Sequence, residues 1–215
     1  KTLDEVSTHH FKNVLRKGIG DTFFVSNGEG KIWKAIAKEI KGGKVFFELG
    51  EVKEIKEKAK ISIACAIPKG QRAATLIEKV SEIGVDRIIF LITNYSSVKN
   101  ITSGMLKRFN LIAKTACMQS EKGYITKVEG PIPLKEAIEK FEKIGILELG
   151  GNKENWKNFV VDGEVLFIGP EGGWSKEEMK IFEEKKFPLL PLVKDPLRIE
   201  TAAIVALSFY YALEL

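Results

Sequence analysis

Apolar positions change their rhythm near residue 60. Up to that point they come in short, interrupted stretches. Phe11, Val14 and Leu15 stand at helical spacing and predict a short helix over residues 8–17. Residues 21–26, 32–40 and 45–52 read as strands, with Asn27-Gly28 and Gly42-Gly43 as turn signals between them. One helix and three consecutive strands predict a small antiparallel barrel. Residues 51–60 are charged and read as a linker or edge strand. From residue 61 the apolar runs become continuous. Residues 61–67 predict a strand buried on both faces. An amphipathic helix over 71–83 ends at Gly84, a natural C-cap. Further strands are predicted over 85–92, 145–149, 165–168 and 189–193. Helices are predicted over 103–120, 134–141 and 197–213, and Ser175 with Glu178 has the spacing of a capping box. Strands alternating with helices imply an α/β domain with a mostly parallel sheet covered on both faces. The expected division is residues 1–60 and 61–215, without internal repeats.

Charge sharpens this picture. The chain carries a formal net charge of +5. Residues 1–60 hold 13 basic and 9 acidic side chains, so most of the excess lies in the smaller domain. A positive field there suits a polyanion such as RNA. Only Arg16, Arg72, Arg87, Arg108 and Arg198 are arginines in a chain that otherwise uses lysine. A planar, permanently charged fork then marks places with a specific task. No apolar run reaches the length that spans a bilayer, and Lys1-Thr2-Leu3-Asp4-Glu5 has no signal core, so a soluble, cytoplasmic protein is expected. Cys65 and Cys117 lie in apolar surroundings and read as buried, reduced thiols. His9 and His10 are the two histidines, which leaves no late His for a hydrolytic triad and no ligand cluster for a metal.

Three segments hold candidate chemistry. Gly169-Pro170-Glu171-Gly172-Gly173 follows a buried strand directly, where glycines let a ligand approach the backbone. It is neither a dinucleotide fingerprint nor a P-loop. Leu197-Arg198-Ile199-Glu200-Thr201-Ala202 opens the last helix; Arg198 there would pair with Glu200 or bind an anion. Pro68-Lys69-Gly70-Gln71-Arg72, followed by Lys79 and Glu82, also lies after a strand end. Lys79 and Glu82 at i, i+3 read, by themselves, as a surface ion pair. A parallel sheet would bring all three segments to one rim.

These residues carry a resemblance. His10-Phe11-Lys12-Asn13-Val14-Leu15-Arg16, Lys69-Gly70-Gln71-Arg72, Glu82-Ile83-Gly84-Val85 and Ser97-Val98-Lys99 all contribute. The strongest stretches are Ile168-Gly169-Pro170-Glu171-Gly172-Gly173 and Leu197-Arg198-Ile199-Glu200-Thr201-Ala202. The chain resembles the bacterial small-subunit (16S) ribosomal RNA uridine-N3 methyltransferases of the SPOUT class. The resemblance implies a PUA-like RNA-binding barrel, then an α/β domain with a C-terminal trefoil knot, and a homodimer. It implies S-adenosylmethionine held by Leu147, Glu148, Leu149, Ile168, Gly169, Glu171, Gly172, Leu192, Leu197, Thr201 and Ala202. It implies ribosomal RNA as partner, no membrane and no metal. The family has a further strand ahead of the first helix, so either the barrel is reduced or a segment precedes it. The chain departs from the family pattern at Asn94-Tyr95, Met118-Gln119-Ser120-Glu121-Lys122 and Leu192-Val193-Lys194-Asp195.

The implied reaction requires an unpaired uracil whose N3 proton is lost. Arg198 is the expected support for the developing negative charge. Glu200 is the expected proton acceptor or the group that orients Arg198. Arg16, Lys69, Arg72 and Lys79 are expected on phosphates. The competing readings are a SPOUT enzyme on another target, such as a tRNA ribose 2′-hydroxyl, and a non-catalytic RNA-binding ribosome-assembly factor.

Overall fold

Alternation in the first stretch turns every second side chain toward one small core. The computed structural model describes residues 1–214 and divides into two compact units, with the boundary at Lys58. In the first, α1 (Glu5–His9) runs on as a π-helical turn (His10–Val14), followed by β1 (Thr22–Ser26), β2 (Lys31–Lys41) and β3 (Lys44–Glu54). The strands pair antiparallel in the order β1-β2-β3. Phe11 meets Phe23 edge-on at 4.8 Å between ring centroids, and Phe23 meets Phe47 at 5.6 Å. Ala35, Ala37 and Val45 complete that core. Gly42 and Gly43 close the β2–β3 hairpin with φ of 55° and 78°, the left-handed pair that a two-residue turn requires.

The first unit differs from expectation in its helix and its barrel, and matches it in the edge strand. The helix lies earlier than residues 8–17 and changes its winding at His10. The charged stretch from residue 51 continues β3 as far as Glu54. The barrel is present as an open sheet, because β1 and β3 do not pair with each other among the described residues. Closure needs the outer strands to meet in matched stagger, and here the chain's first residues occupy the edge of β3. Leu3 N–H donates to Val45 O at 3.1 Å, and Phe47 N–H to Lys1 O at 2.9 Å.

The second unit alternates β4 (Ser62–Ala66), α2 (Gln71–Ile83), β5 (Arg87–Ile92), α3 (Ser103–Gln119), β6 (Lys127–Pro133), α4 (Leu134–Lys140), β7 (Ile144–Leu147), α5 (Asn155–Asp162), β8 (Val165–Ile168), α6 (Lys176–Glu184), β9 (Leu189–Leu190) and α7 (Ile199–Glu214). Its described strands form one parallel sheet ordered β6-β5-β4-β8-β7-β9. Successive strand residues face opposite layers. Ile63, Cys65, Ile88, Phe90, Leu166 and Ile168 pack with Leu76, Phe109 and Leu207 on the side of α2, α3 and α7. Ala64, Ile89, Leu91, Val165 and Phe167 pack with Ile138 and Phe182 on the side of α4 and α6. Burying each large apolar side chain contributes roughly 1.5–3 kcal/mol, so the continuous runs of β4, β5 and β8 dictate a central position. Both cysteines are buried and free, and burial pushes the Cys65 thiol up. No described helix is long and apolar enough to cross a membrane.

Several boundaries move. The strand expected over 85–92 begins at Arg87, after Gly84 with φ 113°. The one expected over 145–149 covers Ile144–Leu147. The strand expected over 189–193 keeps only Leu189–Leu190, because Pro188 and Pro191 flank it and lack the N–H a ladder needs. The last helix starts at Ile199, not Leu197. Strand β6 and helix α5 were not expected at all.

Gly145 lies where β7, β9 and α5 meet. A Cβ there would stand 2.4 Å from Leu190 Cδ1 and 2.7 Å from Phe159 Cε2. Gly145→Ala should therefore destabilise the protein by about 1–3 kcal/mol, read as a lower urea midpoint with an unchanged slope. An unchanged midpoint would show that this seam is loose.

Candidate functional site

A parallel sheet places the loops after its strands along one rim, and three of those loops enclose a cavity of about 300 Å³. That volume is at the lower end of small-molecule sites.

Its first wall is Leu147, Glu148 and Leu149, at the end of β7. Glu148 N–H donates to Leu190 O at 3.3 Å, which ties this wall to the third loop. The second wall is Ile168 through Trp174. Gly173 has φ 71°, and its N–H donates to Pro170 O at 2.9 Å, closing a tight turn. Trp174 folds back beneath that turn. A Cβ on Gly169 would stand 3.1 Å from its ring, and its Nε1–H donates to Leu147 O at 3.3 Å. The third wall runs from Leu190 through Leu192, Val193, Asp195, Pro196 and Leu197 to Ala202 on α7. Two side chains of α5 hold this loop from behind: Asn155 Nδ2–H donates to Leu189 O at 2.9 Å and Trp156 Nε1–H to Pro191 O at 2.8 Å.

The lining has a definite chemical character. Its walls are largely apolar, its charged side chains are Glu148, Glu171 and Asp195, and no Lys, Arg or His lines it among the described residues. Such a site favours a partly apolar ligand with positive charge and hydroxyl or amino donors.

The capping box of α6 fixes the second wall. Ser175 Oγ accepts from Glu178 N–H at 3.2 Å, and Glu178 Oε2 accepts from Ser175 N–H at 2.8 Å. Asn94, in the loop after β5, joins it. Its N–H donates to Glu178 Oε1 at 2.8 Å and its Nδ2–H to Ser175 Oγ at 2.7 Å. Nothing in the sequence pairs Asn94 with a cap 81 residues later.

The structure gathers Leu147, Glu148, Leu149, Ile168, Gly169, Glu171, Gly172, Leu192, Leu197 and Ala202 around the cavity. Thr201 is exposed and outside the lining, one helical step round from Ala202. Arg198 is exposed just ahead of α7 and has no ion pair among the described residues, so of its two expected roles the pairing with Glu200 is not formed and anion binding stays open. Glu200 is buried, and its Oε2 has no hydrogen-bond partner among the described residues. Arg72 is engaged by Glu171 at 2.8 Å, which joins the loop after β4 to the second wall. Lys79 lies 3.0 Å from both Glu78 and Glu82, the surface cluster its spacing suggested, and these carboxylates raise its pKa. Lys69 is exposed in the loop after β4. Arg16 belongs to the first unit and is exposed with φ 50°. Pro170, Gly173, Trp174, Leu190, Val193, Asp195 and Pro196 also line the cavity. The first three were legible as part of the glycine motif; the others depend on how the short strand β9 docks.

Residues 56–210 match a family model described as an RNA methyltransferase domain, and residues 3–50 one described as an RNA methyltransferase PUA domain. A Synechocystis protein named ribosomal RNA small subunit methyltransferase E is 30% identical over 224 residues, covering 99% of this chain and 73% of that protein. A Borreliella burgdorferi protein, ribosomal RNA small subunit methyltransferase E 1, is 27% identical over 95% of this chain and 89% of its own length. The solved Neisseria gonorrhoeae ribosomal RNA small subunit methyltransferase E, bound to S-adenosyl methionine, superposes with a TM-score of 0.85. It is 25% identical, over 99% of this chain and 91% of that one.

Glu178 is buried and satisfies two backbone N–H groups on separate loops. Glu178→Ala should cost about 1–3 kcal/mol, the penalty for buried donors left unpaired. Amide hydrogen exchange across residues 169–175 should rise in parallel. Protection equal to that of the unsubstituted protein would mean the cap does not hold the loop.

Proposed function

Because this chain belongs to the RNA methyltransferase family, we propose that it transfers a methyl group from S-adenosylmethionine to N3 of a uridine in small-subunit ribosomal RNA. The observation that carries the reading is the cavity between the loops after β7, β8 and β9. Its apolar walls suit an adenine ring, and its backbone edges suit the ring's amino group. Glu148, Glu171 and Asp195 leave it electronegative, and among the described residues no lining cation opposes a sulfonium. When bound, that sulfonium supplies an activated methyl group. The same reading carries the trefoil knot through the third loop, a homodimer and a cytoplasmic setting.

Uracil N3 attacks only after losing its proton, and charge then develops on the neighbouring carbonyl oxygens. The Arg198 guanidinium stands exposed at the head of α7 and is not consumed by an internal ion pair among the described residues. In this reading it receives that charge through a hydrogen bond that strengthens in the transition state. Glu200 lies two residues further on, with one carboxylate oxygen buried and unpartnered among the described residues. It accepts the N3 proton. Ala202, in the next step of the helix, keeps the wall low enough for the donor. Lys69 and Arg16 remain available to phosphates, whereas Arg72 and Lys79 would first have to leave their carboxylates.

Two substitutions separate chemistry from binding. Arg198→Ala should abolish turnover on small-subunit ribosomal RNA and leave S-adenosylmethionine affinity, measured by calorimetry, unchanged. Ala202→Phe should weaken that affinity roughly tenfold or more by overfilling the cavity. Mass spectrometry of the nucleosides should find N3-methyluridine. A ribose-methylated product would reassign the target, and a wild-type protein that binds no S-adenosylmethionine would favour a non-catalytic RNA-binding factor.

A further inference from the structure

Tyr95 stands where the fold gains little from it. The residue lies in the loop after β5 and is 55% exposed. Its neighbours are held by hydrogen bonds. Thr93 and Ser96 are buried, and Ser96 Oγ lies 2.9 Å from both Thr93 N and Thr93 Oγ1. Asn94 is bonded through backbone and side chain to Glu178 and Ser175. The turn is therefore rigid, while the ring it carries is left in water. No hydrogen bond engages the phenol among the described residues.

The ring also has a fixed position relative to the cavity. A Cβ built on Gly172 would stand 3.6 Å from Tyr95 Cβ and 3.7 Å from Tyr95 Cδ2. Gly172 itself lines the cavity. Tyr95 thus rests against the second wall at Gly172, which has no side chain to push it away. The neighbouring Glu171 holds Arg72 at 2.8 Å, which brings a guanidinium to the same wall.

We propose that the Tyr95 ring is a stacking platform for an unpaired base of the substrate RNA, beside the mouth of the methyl-donor cavity. The inference rests on the reading of this cavity as an RNA methylation site. A base displaced from its stack loses favourable contact, and an aromatic face held in place restores it without needing a particular base edge. The preorganised turn matters because a ring that must first be ordered returns less of that contact as affinity.

Kinetics with Tyr95→Ala and Tyr95→Phe test it, using small-subunit ribosomal RNA and S-adenosylmethionine. Tyr95→Ala should raise the KM for RNA roughly tenfold, about what the loss of one stacked base removes, with the S-adenosylmethionine Kd unchanged. Tyr95→Phe keeps the ring face and should behave as wild type. Ultraviolet irradiation with a uridine-rich single-stranded RNA should cross-link the peptide that contains residue 95. An unchanged RNA KM in a folded, donor-binding Tyr95→Ala variant overturns the proposal. If the wild type methylates no RNA, the functional reading fails instead; a missing cross-link at residue 95 then still rejects the platform.

Discussion

The seam between β7 and β9 is two residue pairs long, Ile146 against Leu189 and Leu147 against Leu190, and the cavity depends on it. A backbone hydrogen bond contributes only about 0.5–1.5 kcal/mol net, so so short a ladder cannot hold a loop by itself. Prolines on both sides prevent it from growing. Close packing and side chains from α5 supply the remainder. Gly145 lets Leu190 and Phe159 sit on the strand, and Gly151 lets the backbone of Leu189 come close, since a Cβ there would stand 2.3 Å from Leu189 O. Asn155 and Trp156 then take the carbonyls of Leu189 and Pro191, which the ladder does not use.

The second wall is secured by different means. It has no ladder partner beyond Ile168, so it is fixed at its far end by the α6 capping box and from below by Trp174. Asn94 extends the cap to a third strand's loop. Three loops from separate crossovers thus become one surface through a handful of polar contacts, buried at the capping box and part-buried around it. Buried, satisfied networks of this kind fix geometry more than they add stability. A methyl-transfer site needs that fixity, because alignment of donor and acceptor supplies much of the rate.

Much of this was legible in the residues, for identifiable reasons. Strands buried on both faces read as unbroken apolar runs, so β4, β5 and β8 were plain. The glycine motif after β8 and the head of α7 converge as a parallel sheet requires. Strand β6 was hidden because Gly130, Pro131 and Pro133 are turn residues, tolerated here only because it is an edge strand paired on one side. Helix α5 was hidden because two asparagines mask the Trp156 and Phe159 pair that faces the core. Thr201 was placed in the cavity and Ala202 beside it, yet neighbours on a helix differ by about 100° in direction, and only Ala202 points inward. Of the two alternatives for Arg198, the pairing with Glu200 is not formed, because Arg198 lies exposed just ahead of the helix while Glu200 is buried within it.

Charge divides the labour between donor and RNA. The chain is basic overall, yet the charged side chains that line the cavity among the described residues are Glu148, Glu171 and Asp195. A phosphate-binding site built on the same rim would repel a sulfonium if its cations reached inward. The Arg72–Glu171 pair marks that boundary: its guanidinium is held 2.8 Å from a carboxylate of the second wall, which limits the positive potential entering the cavity. Arg198 is the exception, an exposed cation close in sequence to the cavity wall. It stands at the head of the helix whose next turn supplies Ala202, close in sequence to the donor wall but free of internal ion pairs among the described residues. Under the proposed function, a cation placed there would meet the negative charge that develops on the base without occupying the space left for the donor's positive charge.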